Sequence, residues 1–525
     1  MPLPTSDQPW PPTDERIQTA LGDWDAWYAS EPDRLHDRYA NRGVRELPEN
    51  RPAQYRGGVW GRLARWFWGA PLTPGERRTR LHVPLAGDIA RTSSRLLFSE
   101  PPQLTAGNAA TQARLEQLVA GGLHPTLLEA GELAAALGGV YLRVVWDDQV
   151  ADRPWISPVA ADCVIPDFAY GRLRGATIWT VVATDGHTVW RHLERHERGW
   201  ILHGLYEGTA GMLGRPVPLQ DQEKTAPLAA MVNSEGAIDT GAPKHLTASY
   251  MPNVRPARAW RHIPSAAWWG QSDYQGIEPI MDALDETYSS WMRDIRNGKG
   301  RVIVPASMLT SNGAGQGASW DQEREIYTGL NIMQRPSDAS SKLDVVQFQI
   351  RVAEHRDTCR ELTDLAVHQA GYSLGTFGAD GDGQAVTATE ILARNARSMT
   401  TRAAKALYGG PAIADALAAL LAVEAGARFR VKGLDLEPPK VEFQDSISDS
   451  QGELAQTATL LRQAEAASTE TLVSMLHPDW DDRQVTAEVD RIQGEKAVAD
   501  PVLLGAGGHG LTGPSDGPPT AGQNG

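Results

Sequence analysis

The chain has 525 residues, 41% hydrophobic and 22% charged, with a formal net charge of −15, a composition that suits a globular protein. Cys163 and Cys359 are the only two cysteines; they exclude a Cys-x-x-Cys zinc site and argue against a disulfide framework. An acidic chain is a poor tight binder of DNA, because that affinity rests on Lys and Arg neutralising phosphates, although it can still surround DNA without gripping it.

From the N-terminus, residues 1–12 are polar and proline-rich, unlike a signal peptide, and are expected to be disordered. Thr13 caps a helix running to about residue 45, with Asp14 and Glu15 in its first turn. Trp24, Trp27 and Tyr28 fall at helical spacing, and Trp60, Trp66 and Trp68 follow. The 17 tryptophans suit either core filling or a subunit interface, where Trp is enriched. Pro84 opens a helix through Phe98, ended by Pro101-Pro102. Another, 125–137, stops at Gly138-Gly139. Val140, Leu142 and Val144 then alternate with their neighbours as in a strand. Strands are expected at 178–183, 188–195 and 200–206, with a hairpin turn at Glu197-Arg198-Gly199. Residues 208–248, rich in Gly, Pro and Ala, read as a loop excursion.

Ile277, Ile280, Met281, Leu284, Tyr288, Trp291, Met292 and Ile295 keep steps of three and four, one apolar stripe on a helix about 35 Å long. A small strand-bearing section with Gly313, Gly315 and Gly317 follows. A second helix comes next, to about Ala370. Residues 371–385 hold five glycines. Thr387-Ala388-Thr389-Glu390 is a capping box that starts a third long helix, expected to break at Gly409-Gly410-Pro411. The apolar run 412–423 reads as a buried helix, since no run reaches the ~20 apolar residues of a bilayer span. A strand at 440–444 precedes a polar helical region at 451–496, and the Gly/Pro-rich tail from 500 is expected to be disordered.

The usual signatures of catalysis are missing. No Gly-x-x-x-x-Gly-Lys-Ser/Thr loop or Gly-x-Ser-x-Gly elbow occurs. His187, His192, His196 and His203 read as exposed strand residues; His192 and His196 stand about 13 Å apart along a strand, too far to share a metal. Asp380-Gly381-Asp382-Gly383 begins like a calcium loop, but Ala385 and Ile391 occupy the positions that need Gly and Glu. No catalytic residue, metal site or cofactor is expected.

Several segments together resemble the portal proteins of tailed bacteriophages, of the actinobacterial siphophage type and similar to portals of phages of Gram-positive hosts. They are Leu81-His82-Val83-Pro84-Leu85-Ala86-Gly87-Asp88-Ile89-Ala90 with Leu96-Leu97-Phe98-Ser99-Glu100-Pro101-Pro102, then Gly139-Val140-Tyr141-Leu142-Arg143, and Gly375-Thr376-Phe377-Gly378 before Thr387-Ala388-Thr389-Glu390-Ile391. The resemblance implies an α+β portal fold: wing (13–272), stem helices (273–298 and 347–370), clip (299–346), tunnel loop (371–386), a long broken helix returning to the wing (387–444) and a helical crown (445–498), with 499–525 disordered. It further implies a ring, of twelve subunits, at one capsid vertex of a virion assembled in the bacterial cytoplasm. Double-stranded DNA would pass through that channel during packaging and ejection. The partners it implies are the large terminase subunit, a head–tail adaptor, and major capsid and scaffold proteins, with no membrane. The competing readings are another virion structural protein, such as a head–tail connector, or an enzyme.

Three sets of residues carry the functional expectations. Gly378, Asp380, Gly381, Asp382 and Gly383 would form a mobile loop in the channel, its aspartates repelling phosphates. Ile277, Met281, Leu284, Tyr288, Trp291 and Ile295 would pack between helices of the ring. Arg394, Arg397, Arg402 and Lys405 cluster on one side of a helix. They suit either a solvated face or contact with DNA or a neighbouring subunit. The net charge of −15 suits either ordinary solubility or channel walls that keep a duplex centred.

Overall fold

A computed structural model describes residues 3–35, 38, 81–297, 301–303, 310–311, 318–319, 344–346, 350–378, 388–443, 451–477, 480 and 482–499. Trp60, Trp66 and Trp68 and the tail from 500 fall outside the described residues. The fold is α+β, in two compact units, Met1–Gln444 and Asp445–Gly525.

The first helix, α1 (Glu15–Ala29), is capped by Asp14, whose side chain accepts from Arg16 N. It ends at Ser30, in the left-handed conformation, well short of residue 45. Trp24 and Trp27 are buried in the core, so these aromatics serve core filling. Helix α2 (Leu85–Phe98) begins after Pro84 as its sequence predicts. Helix α3 (Ala109–Ala120) was not foreseen; its polar face hides a cap, Asn108, which accepts from Thr111 N at 2.8 Å. Helix α4 (Leu123–Leu137) stops at Gly138, φ +82°, where a Cβ would lie 2.7 Å from the Gly270 carbonyl oxygen. Only glycine suits both the left-handed backbone and that approach.

Strand β2 (Gly139–Val145) is central in a three-stranded antiparallel sheet, between β3 (Trp155–Ala160) and β10 (Ala248–Pro252). Successive side chains point to opposite faces of a strand. Tyr141 joins the core shared by α1, α2 and the helix pair described below, whereas Val140, Leu142 and Val144 join a second core with α3, α4 and residues 412–423 of a long helix also described below. Both faces of β2 are thus buried.

A second antiparallel sheet runs β4 (Val164–Ala169), β5 (Arg172–Asp185), β6 (Thr188–Glu197), β7 (Trp200–Thr209), β8 (Met212–Val217), with β9 (Ala237–Asp239) also pairing β7. The expected hairpin turn lies between Glu197 and Trp200, which pair. Residues 208–248 are no loop excursion: they supply β8 and β9. Nor are the first residues disordered where described. Trp10 N donates to Gly211 O and Leu213 N to Gln8 O, and Tyr206 Oη donates to Pro4 O. Trp10 is buried against Leu193, Tyr206 and Leu213.

Helices α5 (Glu278–Asn297) and α6 (Val352–Gln369) bracket short antiparallel pairs, β11 (Arg301–Ile303) with β14 (Asp344–Val346) and β12 (Thr310–Ser311) with β13 (Ala318–Ser319). Helix α7 (Ala388–Ala425) is continuous for 38 residues with Pro411 inside, so the expected break does not occur. A proline removes one intrahelical donor, but here the helix is held by burial: Gly409 and Gly410 are buried and lie beside Phe443, and 412–423 are almost wholly in the core. The stretch Asn395–Ala425 is long and apolar enough for a membrane span by composition, yet 72% of its most apolar window is buried in the fold, as in a core helix. Strand β15 (Lys440–Glu442) pairs β1 (Gln103–Thr105).

The second unit contains α8 (Gln451–Gln463), α9 (Thr469–Leu476), capped by Ser468, and α10 (Asp482–Ala499). Ala458, Leu472, Val473 and Val485 are its buried apolar residues among those described.

Candidate functional site

The α5–α6 pair is rooted in the body. Ser272 Oγ donates to Ala136 O at 2.6 Å and Tyr274 Oη to Ala86 O at 2.8 Å. Gly276, φ +93°, turns the chain into α5, and Glu278 accepts from Trp24 Nε1 at 2.8 Å. Ile277, Met281 and Leu284 are each 1% exposed inside the chain's own core. Asp285, on the adjoining face, accepts from Val83 N at 2.9 Å and meets His82 Nδ1 at 2.7 Å. Further out the burial fades. Tyr288 and Trp291 are half-buried, Trp291 stacks on His355 at 6.1 Å, and Ile295 is 39% exposed. Asp294 Oδ2 binds Arg351 Nη2 at 3.1 Å and His355 Nε2 at 3.0 Å, and these partners hold its pKa down. The stripe expected to pack between subunits is therefore, from Ile277 to Leu284, intrachain core.

Helix α6 leads into a tight turn. Gly371 sits at φ +97°, with its carbonyl accepting from Thr401 Oγ1 at 2.6 Å. Ser373 N donates to Ser398 Oγ at 2.8 Å, which also meets Thr376 Oγ1 at 2.8 Å. A short 3-10 turn, Leu374–Phe377, ends at Gly378 in the left-handed region. Asp380, Gly381, Asp382 and Gly383 lie outside the described residues, as does the capping threonine Thr387.

Beneath this turn lies a buried charged cluster. Lys405 Nζ donates to Asp273 Oδ1 at 2.9 Å, Asp273 Oδ2 at 2.7 Å, Ser93 Oγ at 2.6 Å and Tyr372 Oη at 2.9 Å. Tyr372 Oη donates to Asp273 Oδ2 at 2.7 Å, and Asn253 Nδ2 to Asp273 Oδ1 at 2.8 Å. The Lys405 and Asp273 side chains are 4% and 6% exposed. Burial pulls the Lys405 pKa down while Asp273 opposes the shift; burial and the adjacent carboxylate push the Tyr372 phenol well up. One carboxylate thus joins α2, the lead into α5, the turn after α6, and α7.

This placement divides the four basic residues. Arg397 is exposed and meets His368 Nε2 at 3.1 Å. Arg402 is 6% exposed, donating from Nε to Leu96 O at 2.7 Å, and Lys405 is in the cluster above. The backbone of Arg394 belongs to α7, and its side chain is outside the described residues. Neither a solvated face nor an outward contact thus describes Arg402 and Lys405. Sequence spacing detects a shared helix side but not which way that side faces. Asp273 and Tyr372 gave no local signal, standing 132 and 33 residues from Lys405.

The strand histidines also depart from expectation. His196 and His203 are buried, and His192 stacks on His203 with rings 3° apart and Nε2···Nδ1 at 3.1 Å. Glu194 binds Arg143 at 2.6 Å and His196 at 2.8 Å, and His196 Nδ1 meets Thr247 Oγ1 at 2.7 Å. Burial lowers the His192 pKa and takes that of His203 to about 4. Among the described residues no group of three or more His, Cys, Asp or Glu is placed to hold a metal. Both cysteines are free, with burial raising their pKa values, that of Cys163 to about 12.

The helix pair is thus braced at its root by the buried Lys405–Asp273 cluster. Residues 270–501 match the family of phage portal proteins described as SPP1 Gp6-like, a region running from the root of α5 into the second unit. No curated protein matches the chain. Solved structures to which it is similar include the neck of a native GTA particle computed with C12 symmetry, at 14% identity over 82% of this chain and 93% of that one, TM-score 0.36. The neck of an empty GTA particle computed with C6 symmetry gives 14% identity over 75% and 90%, TM-score 0.39. The virion of a native gene transfer agent particle gives 14% identity over 80% and 99%, TM-score 0.36.

Proposed function

We propose that this chain is the portal protein of a tailed bacteriophage, forming a ring-shaped channel at one capsid vertex through which double-stranded DNA is packaged and ejected. The observation that carries this reading is the match of residues 270–501 to the SPP1 Gp6-like portal family. The matched region holds the order helix, small strand module, helix, turn, long helix. The protein is a structural virion component and not an enzyme; the ATPase is another chain, the large terminase subunit.

In this proposal the body through residue 272 is the wing, α5 and α6 the stem, 299–346 the clip, 371–386 the tunnel loop and 445–498 the crown. Twelve copies make the ring, assembled in the host cytoplasm with scaffold and major capsid proteins and later joined by a head–tail adaptor. The actinobacterial siphophage type is part of the same proposal. Asp380 and Asp382 act in the channel by repelling phosphates.

Size-exclusion chromatography with negative-stain imaging of the purified chain tests the reading: rings with a central hole are expected, and a chain that stays monomeric with a catalytic turnover sinks it. For the loop, replacing Asp380 and Asp382 with Lys leaves rings intact but slows packaging, more at low salt, where attraction is less screened. Normal packaging at every salt concentration removes the loop from the mechanism.

A further inference from the structure

Helix α6 is thinly buried for its length. Of its 18 residues only Cys359, Ala366 and Val367 are buried, and all three belong to the core shared with α5 and the body. Beside that seam runs a groove of about 440 Å³. Small side chains from α5, Ala283, Thr287 and Ser290, line it, with Thr358 of α6 opposite. Glu286 and Glu354, both exposed, stand on its rims. Arg351 also borders it, but its guanidinium is held by Asp294 at 3.1 Å. Leu365, 40% exposed, extends this face two turns beyond Thr358.

The other flank of α6 has the opposite character. At 100° per residue, Arg356 lies about 160° and Arg360 about 120° round the helix from Glu354. Both are exposed. Arg356 approaches Asp357 at 3.7 Å, but the two side chains are 71% and 72% exposed, too open for that contact to hold the guanidinium. Val352, 48% exposed, sits one turn before Arg356 on the same flank.

We propose that these two faces are the two halves of one head-to-tail contact between copies of this chain: Arg356 and Arg360 of one copy enter the groove of the next, between Glu286 and Glu354. The proposal rests on the ring reading above and supplies its stem interface. A two-fold contact through either face would set like charges together, which is disfavoured. A heterologous contact pairs unlike faces, and it closes into a ring when its rotation divides the circle. Val352 and Leu365 add apolar area at the two edges. With Ile277, Met281 and Leu284 committed to the intrachain core, it is the polar faces of the pair that are left for a neighbour.

The test uses full-length chains, with circular dichroism to confirm folding and negative-stain counting of rings. Glu286→Lys with Glu354→Lys is one variant; Arg356→Glu with Arg360→Glu is the other. Each alone is expected to lower the ring fraction at least tenfold. Mixed in equal amounts, the two variants regain rings, because each groove then meets a flank of opposite charge. The four-fold substituted chain also regains them alone. If wild-type chains form rings and both variants do so equally well, this contact is wrong while the ring reading stands. Loss of rings that neither mixing nor the four-fold substitution restores also overturns it. Wild-type chains that never form rings sink the reading on which it rests.

Discussion

The sheet-bearing body and the outer half of the α5–α6 pair are both regular structure, yet they are held differently. In the body, β2 is buried on both faces, and β6 packs Leu193 against Trp10 and Tyr206 while its other face carries Glu194 among Arg143 and three histidines. In the helix pair, burial is complete at Leu284 and down to 39% exposure at Ile295. The pair is clamped at its root and sparsely covered at its far end. A chain alone can therefore fix where the pair begins, while its outer end stays open to solvent.

The root should be the most sensitive point. Lys405→Met leaves Asp273 buried without its cation, and breaking a buried pair in this way costs about 3–5 kcal/mol. Urea unfolding of the wild type and the variant measures the loss. Adding Asp273→Asn is expected to recover part of it, because the buried charge goes too. If Lys405→Met alone leaves the midpoint unmoved, the cluster does not brace the pair.

Position along α5 gives the next largest contrast. Leu284→Ala should destabilise by about 2–4 kcal/mol, as for buried leucines generally. Ile295→Ala should cost less than about 0.5 kcal/mol in the isolated chain, as at exposed sites. Leu284→Asp should disrupt the fold of the single chain and not its assembly alone. Equal costs for the two alanine variants would erase the gradient described above.

Acid tests the body. The His203 pKa is lowered from 6.5 to about 4 and that of His192 is also lowered, burial being the main cause. The fold therefore favours the neutral rings. Their contribution is full above about pH 6.5 and is lost as pH falls toward about 4. Glu194, His196 and Arg143 face the same pair, and because the Glu194 pKa is depressed from 4.5, its contribution is lost as pH falls below that value. Thermal melts at pH 7 and pH 5 should show a drop for the wild type that His203→Gln reduces. The smallest effect expected is at Arg397, exposed beside His368: its replacement by Ala should shift stability by no more than about 0.5 kcal/mol.

How much the sequence revealed depended on how local the cause was. The stripe from Ile277 to Ile295 was legible because amphipathic spacing is a local signal. The hairpin at Gly199 was legible because its residues demand a turn. Strands β8 and β9 were hidden because β8 is an outer strand carrying Pro216, which only an edge strand tolerates, and β9 is three residues long. Pro411 misled because burial of α7 overrides a local helix-breaking preference. Lys405 misled because its partner Asp273 is distant in sequence. Of the basic residues grouped by their spacing, Arg402 and Lys405 are buried while Arg397 is exposed, a division that spacing along one helix does not reveal.

The turn after α6 and the middle of α7 end on the same atom, since Tyr372 Oη and Lys405 Nζ both bond Asp273 Oδ2. The span between them, 33 residues in sequence separation, is in effect a loop tied shut at a single knot. That knot sets where α6 leaves the body and where α7 returns to it.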